Sequence, residues 1–102
     1  MTFHYRLTRS AKRDLREISD YWVENAGPDA AFRIVSGIFE TIIALTYMPE
    51  GGHLMESFGE GVRRFPVAKY LVYYRPVRGV VEILHIFHGA RDQRTAWKPK
   101  RR

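Results

Sequence analysis

The sequence predicts one α+β domain, in which a helical hairpin packs on one face of a small, mostly antiparallel sheet in the order β-α-α-β-β-β. Two apolar patterns of helical period fill residues 9–48, and three segments of β type follow between residues 62 and 87. The 102 residues suffice for one domain and are too few for two, so residues 1–102 form a single domain with a basic tail at 93–102.

The first strand and the first helix follow from alternation and from a capping residue. FHYRL at 3–7 alternates apolar and polar side chains, which is typical of a half-buried strand. Thr8 can cap a helix at about 9–26, and Gly27 and Pro28 end it. The apolar positions of this helix recur at helical spacing: Ala11, Leu15, Ile18 and Trp22.

A second helix runs from about Asp29 to about Met48, where Pro49 ends it. Its apolar set covers more than one side, so we expect it to pack on both the first helix and the sheet. The short Gly-Pro-Asp connection makes the two helices an antiparallel hairpin. Residues 49–61 then carry four glycines and no periodicity, which indicates a long loop.

Three strands follow this loop: VRRFP at 62–66, KYLVYYRP at 69–76 and GVVEILHIF at 79–87, with a hairpin turn at 77–79. The last strand is apolar on both faces, which marks a central strand. Because one helical hairpin covers only one face of the sheet, the sequence predicts an uncovered apolar face that a partner would cover.

Composition narrows the class of protein. The chain has no cysteine, which excludes disulfides and thiolate metal sites. The N-terminus MTFHYRLTRS lacks the apolar segment of a signal peptide, and no apolar run approaches the length of a membrane span. We therefore expect a cytoplasmic protein without membrane contact.

The net charge of +6 is unevenly placed along the chain. Residues 1–50 carry 6 Lys/Arg and 7 Asp/Glu, whereas residues 51–102 carry 11 Lys/Arg and 4 Asp/Glu. The second half therefore has a net charge of +7, which indicates an acidic partner.

Four stretches, in this order, resemble the RelE/ParE superfamily of type II toxin–antitoxin toxins, and most closely its ParE branch: YRLTRSAKRDLREISDYW, ALTYMPEGG, GVRRFPVAKYLVYYRP and VVEILHIFHGARD. The resemblance implies a toxin that inhibits DNA gyrase. It also implies a cognate antitoxin whose acidic segment folds on binding, a hetero-oligomeric complex, and contact with DNA only through the antitoxin.

The same superfamily includes RelE-like ribosome-dependent mRNA endonucleases, which are the alternative interpretation. Aligned with that branch, Arg91 matches the phosphate-binding arginine, with His88 as a further candidate. Trp97 stands at the tyrosine position and Pro66 at the strand arginine, and 49–61 has no lysine. Because an indole has no titratable group and proline has no cation, the sequence predicts a protein that is not an enzyme.

Candidate binding residues follow from the predicted faces. We expect the antitoxin to contact Ile34, Ile38, Phe39 and Tyr73, and the target to contact Arg63, Arg64, Arg91, Arg94 and Trp97. Arg91 and Asp92 could instead form an ion pair that fixes the tail. No cofactor and no metal site are predicted, because His85 and His88 leave opposite faces of a strand.

Overall fold

The computed structural model describes residues 2–90, 96 and 97, and it confirms the α+β fold. Two helices pack on a five-stranded sheet of order β1-β5-β4-β3-β2, in which β1 and β5 run parallel and the other neighbours antiparallel. The elements are β1 His4–Leu7, α1 Arg9–Ala26, α2 Pro28–Tyr47, β2 His53–Leu54, a 3-10 turn Glu56–Phe58, β3 Arg63–Val67, β4 Tyr70–Val77 and β5 Val80–His88.

The segment 49–61 differs from its prediction as a loop without strands. His53 and Leu54 pair antiparallel with Arg64 and Arg63, which adds β2 at the edge of the sheet. A strand of two residues has too few positions to show a period of two, so the sequence pattern could not reveal it.

The start of α1 is attached to the last strand through Thr8. The Thr8 hydroxyl oxygen lies 3.2 Å from the backbone nitrogen of Ala11, which it caps, and the hydroxyl donates to the carbonyl of Ile83 at 2.8 Å. The predicted cap is therefore confirmed, and it also fixes the helix against β5.

Beyond the end of β1, the side chain of Asp14 accepts a backbone hydrogen bond from β5. The last pair of the β1–β5 ladder joins Leu7 to Ile83, so the edge of β5 beyond it lacks a strand partner. The buried Asp14 carboxylate accepts the backbone N–H of Ile86 at 2.9 Å and lies 3.1 Å from His85 Nδ1. One side chain of α1 thus satisfies a strand donor that would otherwise be buried without an acceptor.

The main core lies between the helices and one face of the sheet. Its buried members come from both helices and from β4 and β5: Ala11, Leu15, Ile18, Ile38, Ile42, Leu45, Tyr70, Val72, Tyr74, Val81, Ile83 and Ile86. Tyr70 and Tyr74 face this core while Tyr73 faces the other side of β4, as the alternation predicts.

The part of the other sheet face around Tyr73 and Phe87 is covered by the chain itself, so the prediction of an uncovered apolar face was wrong for that part. Val62, Tyr73 and Phe87 form a second buried cluster there. The 49–61 segment and the C-terminal region supply its cover, through Met55, Phe58, Ala96 and Trp97. The covering residues lie in segments without periodicity, which is why the pattern of the strands alone did not reveal them.

The length of α2 also corrects an expectation. Within its 20 residues an 18-residue stretch has a mean hydropathy of 1.4, so the helix is long and apolar enough for a membrane span. About 33% of that stretch is buried inside the fold, and a core helix passes the same test. The high hydropathy arises because apolar side chains occupy both the packed face of α2 and part of its outer face.

Candidate partner-binding surface

The outer face of α2 carries an exposed apolar stripe. Phe32 and Tyr47 are 73% and 72% exposed, and Ile43 between them is also exposed. Positions 32, 36, 39, 43 and 47 fall on one side of a helix, over roughly 22 Å at 1.5 Å per residue. Ser36 interrupts the stripe, and the half-buried Phe39 continues it.

The stripe continues onto the edge strand β1. The ring of Tyr5 lies 6.3 Å from the ring of Phe39, measured between centroids, and Tyr5 is itself exposed. We call these five residues the α2 stripe: Tyr5, Phe32, Phe39, Ile43 and Tyr47. A group of exposed apolar side chains along one side of a helix is typical of an interaction site.

The residues predicted to contact an antitoxin do not form one surface. Ile38 and Tyr73 are buried, in the main core and in the second cluster respectively. Ile34 packs partly buried against the main core, and Phe39 belongs to the α2 stripe. The sequence shows that α2 has apolar residues on more than one side. Its periodic pattern therefore does not determine which side packs on the sheet. Antitoxin binding at these residues stays a prediction, and Ile38 and Tyr73 could contribute only through packing.

Arg63 forms hydrogen bonds with the segment that follows α2. Its Nη1 donates to the carbonyls of Gly52 at 2.8 Å and Glu50 at 3.2 Å. The Tyr74 hydroxyl donates to the Pro49 carbonyl at 2.9 Å and accepts the Gly52 N–H at 2.8 Å. Desolvation by burial raises the pKa of Tyr74 above its usual value. Arg63 is therefore engaged in structure, although it was predicted to contact the target.

Two further target-binding candidates lie against the second cluster. Arg64 donates to the Tyr73 hydroxyl at 3.3 Å, and its guanidinium carbon stands 5.9 Å from the centre of that ring. Trp97 packs with ring centroids 4.8 Å from His85, 5.2 Å from Phe58 and 5.4 Å from Tyr73. Both side chains are already partly buried, and the candidates Arg91 and Arg94 lie outside the described residues.

His88 and Trp97 lie on opposite faces of the sheet. His88 packs edge-on against Tyr70, a residue of the main core, and its Nδ1 accepts the Ala90 N–H at 3.1 Å. His85 lies on the Trp97 side, so the two histidines leave opposite faces as predicted. In residues 2–90, 96 and 97, no group of three His, Asp or Glu side chains could hold a metal ion.

A groove of about 400 Å³ lies where α1 meets the ends of β4 and β5. Trp22, Tyr21, Tyr70 and His88 give it aromatic walls, and Asp14 adds a carboxylate. Trp22 Nε1 donates to the Tyr70 hydroxyl at 2.8 Å, so the half-buried indole has its polar end satisfied.

Comparisons with known proteins agree on one family. Residues 5–93 match the model of the ParE toxin of the type II toxin–antitoxin system parDE. Toxin ParE1 of Caulobacter vibrioides is 32% identical over 90 residues, which are 88% of this chain and 93% of that protein.

Solved structures show the same fold. A chain of the chromosomal ParDE toxin–antitoxin system of P. aeruginosa aligns with a TM-score of 0.74 and 27% identity, covering 85% of this chain and 96% of that one. A chain of the RelBE2 toxin–antitoxin complex of Mycobacterium tuberculosis aligns with a TM-score of 0.65 and 22% identity, covering 86% and 99%. At that identity the second likeness concerns the fold alone.

Proposed function

The chain belongs to the ParE toxin family of type II toxin–antitoxin systems, and we propose that it acts in the cytoplasm by inhibiting DNA gyrase until a cognate antitoxin neutralises it. Family membership supports the toxin activity, and the resemblance to ParE-type toxins supports gyrase as the target. Under this proposal the protein acts by binding and not by catalysis.

The α2 stripe is the observation that carries the antitoxin part of the proposal. An exposed apolar stripe along a helix fits a partner segment that presents an apolar face of its own. A segment that folds on binding can cover a surface of this length while remaining disordered in the free antitoxin. The solved ParDE structure to which this chain is similar comes from a toxin–antitoxin system, which supports a partner of this kind.

The position of Trp97 supports binding over RNA cleavage. It stands where the RelE-like alternative would need tyrosine, and it packs on the face of the sheet opposite His88. An indole in this environment cannot transfer a proton to or from a ribose hydroxyl.

The target is tested by expressing the chain without an antitoxin and assaying two activities separately. We expect the purified chain to inhibit supercoiling by purified gyrase and to leave mRNA intact in a translation-coupled cleavage assay. If the chain cleaves mRNA and leaves gyrase fully active, this proposal is wrong and the RelE-like alternative is favoured. Arg91→Ala should then abolish the cleavage.

The antitoxin surface is tested on the α2 stripe with the variant Phe32→Ser/Tyr47→Ser. Both side chains are exposed, so we expect stability within about 0.5 kcal/mol of the parent chain. Affinity for the cognate antitoxin should fall at least about tenfold, because buried aromatic anchors dominate such interfaces. Val23→Ser, at an exposed apolar position of α1 outside the stripe, is the matched control. Equal affinity of all three proteins would exclude the stripe as the antitoxin surface.

A further inference from the structure

Three charged residues form a row across the face of the sheet that is opposite the helices. Register places Arg6 of β1 and Arg75 of β4 on either side of Glu82 of β5. Glu82 Oε2 accepts from Arg6, and Glu82 Oε1 accepts from Arg75 Nη2 at 3.1 Å. We call these residues the Arg–Glu–Arg row. Neither the predicted partner contacts nor the α2 stripe includes any of them.

The row has more positive charge than its own carboxylate neutralises. Two guanidinium groups share Glu82, whose two oxygens are both engaged. The arginine side chains remain 61% and 40% exposed, whereas that of Glu82 is 15% exposed. The buried Arg75 Nε has no acceptor among the described residues. A guanidinium offers five N–H donors, so the row can bind a further anion.

The neighbouring row of the same face is apolar in β4 and β5 and ends on the exposed His4 of β1, which pairs with Val80. Val77 of β4 pairs with Val80 of β5, and Val77 is exposed. A ligand that reaches the arginines from this side therefore meets apolar surface next to the positive charge. That combination fits a polypeptide in which carboxylates and apolar side chains are interspersed.

We infer that the Arg–Glu–Arg row is a docking site for carboxylate side chains of an acidic protein segment, the antitoxin being the partner in which we expect it. The inference about the antitoxin rests on the proposed function. An incoming carboxylate meets the planar fork of Arg6 or Arg75, with which it can form two parallel hydrogen bonds. In doing so it competes with Glu82, which holds both guanidinium groups in the free protein.

Nucleic acid fits the row less well. Duplex DNA presents about one negative charge per 1.7 Å of its axis and is bound by several cations together. The row has a net charge of only +1, and Glu82 stands between the two arginines. A phosphate backbone that crossed it would meet that carboxylate.

The test uses the purified chain and two synthetic 16-residue peptides, one alternating Glu with Ala and the other alternating Gln with Ala. Binding is measured by titration calorimetry at low and at physiological salt. We expect the Glu peptide to bind and the Gln peptide not to bind. Arg6→Ala/Arg75→Ala should weaken binding about tenfold, since each lost charge-assisted contact at an exposed site is worth roughly threefold.

Glu82→Gln gives the sharpest result, because it should act in the opposite direction. Removing the internal competitor should tighten binding of the Glu peptide about threefold. The matched control is Arg13→Ala/Arg16→Ala, which removes two positive charges from exposed positions of α1 and should change affinity less than twofold. Thermal unfolding checks that each variant is folded. If Arg6→Ala/Arg75→Ala does not fold, the variant Arg6→Lys/Arg75→Lys is used in its place. Lysine keeps the charge and loses the fork, so weakened binding is expected there too.

Three outcomes would overturn the inference: equal weakening by the α1 control, weaker binding of Glu82→Gln, or equal binding of the Gln peptide. Tighter binding of a duplex oligonucleotide, lost in the same Arg6 and Arg75 variants, would reassign the row to nucleic acid. The gyrase assay is independent of all of these. If the chain binds the peptide as expected but does not inhibit gyrase, the inference about the Arg–Glu–Arg row stands and the proposed function fails. If the chain inhibits gyrase but does not bind the peptide as expected, the proposed function stands and the inference fails.

Discussion

Asp14 joins α1 to β5 through contacts that the apolar pattern of the helix does not predict. In the α1 sequence it stands among charged neighbours, on the helix face that the apolar pattern assigns to solvent. The pattern therefore gives no reason to expect Asp14 to be buried. In the structure its carboxylate accepts a hydrogen bond from the Ile86 N–H and lies beside His85 Nδ1. The ring of His85 in turn stacks on Phe87 with centroids 4.6 Å apart. One acidic side chain therefore connects α1 to the backbone of Ile86 and to the side chain of His85 in β5.

Asp14→Ala should lower the free energy of unfolding by about 2–3 kcal/mol, because it leaves the buried Ile86 N–H without an acceptor. Chemical denaturation of the variant and the parent measures the difference. Asp20→Ala, an exposed carboxylate on the same helix, is the control and should change stability by less than about 0.5 kcal/mol. A similar loss in both variants would mean that general helix charge, and not this contact, is responsible.

Tyr74 gives a prediction at alkaline pH. Burial raises its pKa in the folded protein above the unfolded value of 10.0. The unfolded chain therefore releases this proton first, and stability falls as the pH rises from the unfolded pKa through the folded one. Tyr74→Phe should be less stable by about 1–3 kcal/mol near neutrality, since the Gly52 N–H loses its acceptor. The gap between the two proteins should narrow above about pH 10, and denaturant titrations at several pH values measure it. A constant gap would show that Tyr74 does not titrate differently in the two states.

At the level of elements, Ala96 and Trp97 act as part of the fold. Ala96 and Trp97 lie over the second cluster together with Phe58 and Met55. A bulge in β5 helps to form this surface: Tyr73 pairs with His85 and Tyr74 with Ile83, so Leu84 is an extra residue. Leu84 and His85 consequently both face the cluster, which a regular alternation would not allow.

Trp97→Ala should destabilise the protein by about 2 kcal/mol, because a half-buried indole loses its packing and uncovers the apolar face of the sheet. Thermal unfolding measures the loss, and increased binding of a hydrophobic dye to the folded variant would report the uncovered face. Phe32→Ala removes an exposed aromatic of the α2 stripe and should leave stability nearly unchanged. Unchanged stability of the Trp97 variant would show that the cluster does not need this cover.

The whole molecule has an apolar surface on one side and an excess of positive charge. The α2 stripe lies on the helical layer and the Arg–Glu–Arg row on the opposite face of the sheet, so a long partner segment could engage both only by passing round the edge of the domain. Net charge of +6 acts at longer range than either surface and mainly affects how fast an acidic partner arrives.

If the proposed antitoxin partner is acidic, raising the salt concentration should slow association with it more than it accelerates dissociation. Between about 50 and 500 mM salt we expect the association rate constant to fall at least about tenfold, while the dissociation rate constant changes less than about threefold. Stopped-flow mixing and surface-immobilised dissociation measure the two rates. An association rate independent of salt would contradict a role of the net charge in recruitment.

The sequence by itself determined the helices, the three long strands and the family, because these depend on local capping, periodicity and the order of motifs. Thr8, Gly27 and Pro28 set helix boundaries through the backbone groups next to them, and β-branched and aromatic runs set the strands. The tertiary structure alone decided which side of α2 is buried, so that Ile38 lies in the core while Phe32 and Tyr47 are exposed. It also decided that Met55, Phe58 and Trp97 cover the second cluster on the other face of the sheet. Contacts between segments distant in the sequence leave no periodic trace in either one, so only packing in three dimensions could reveal them.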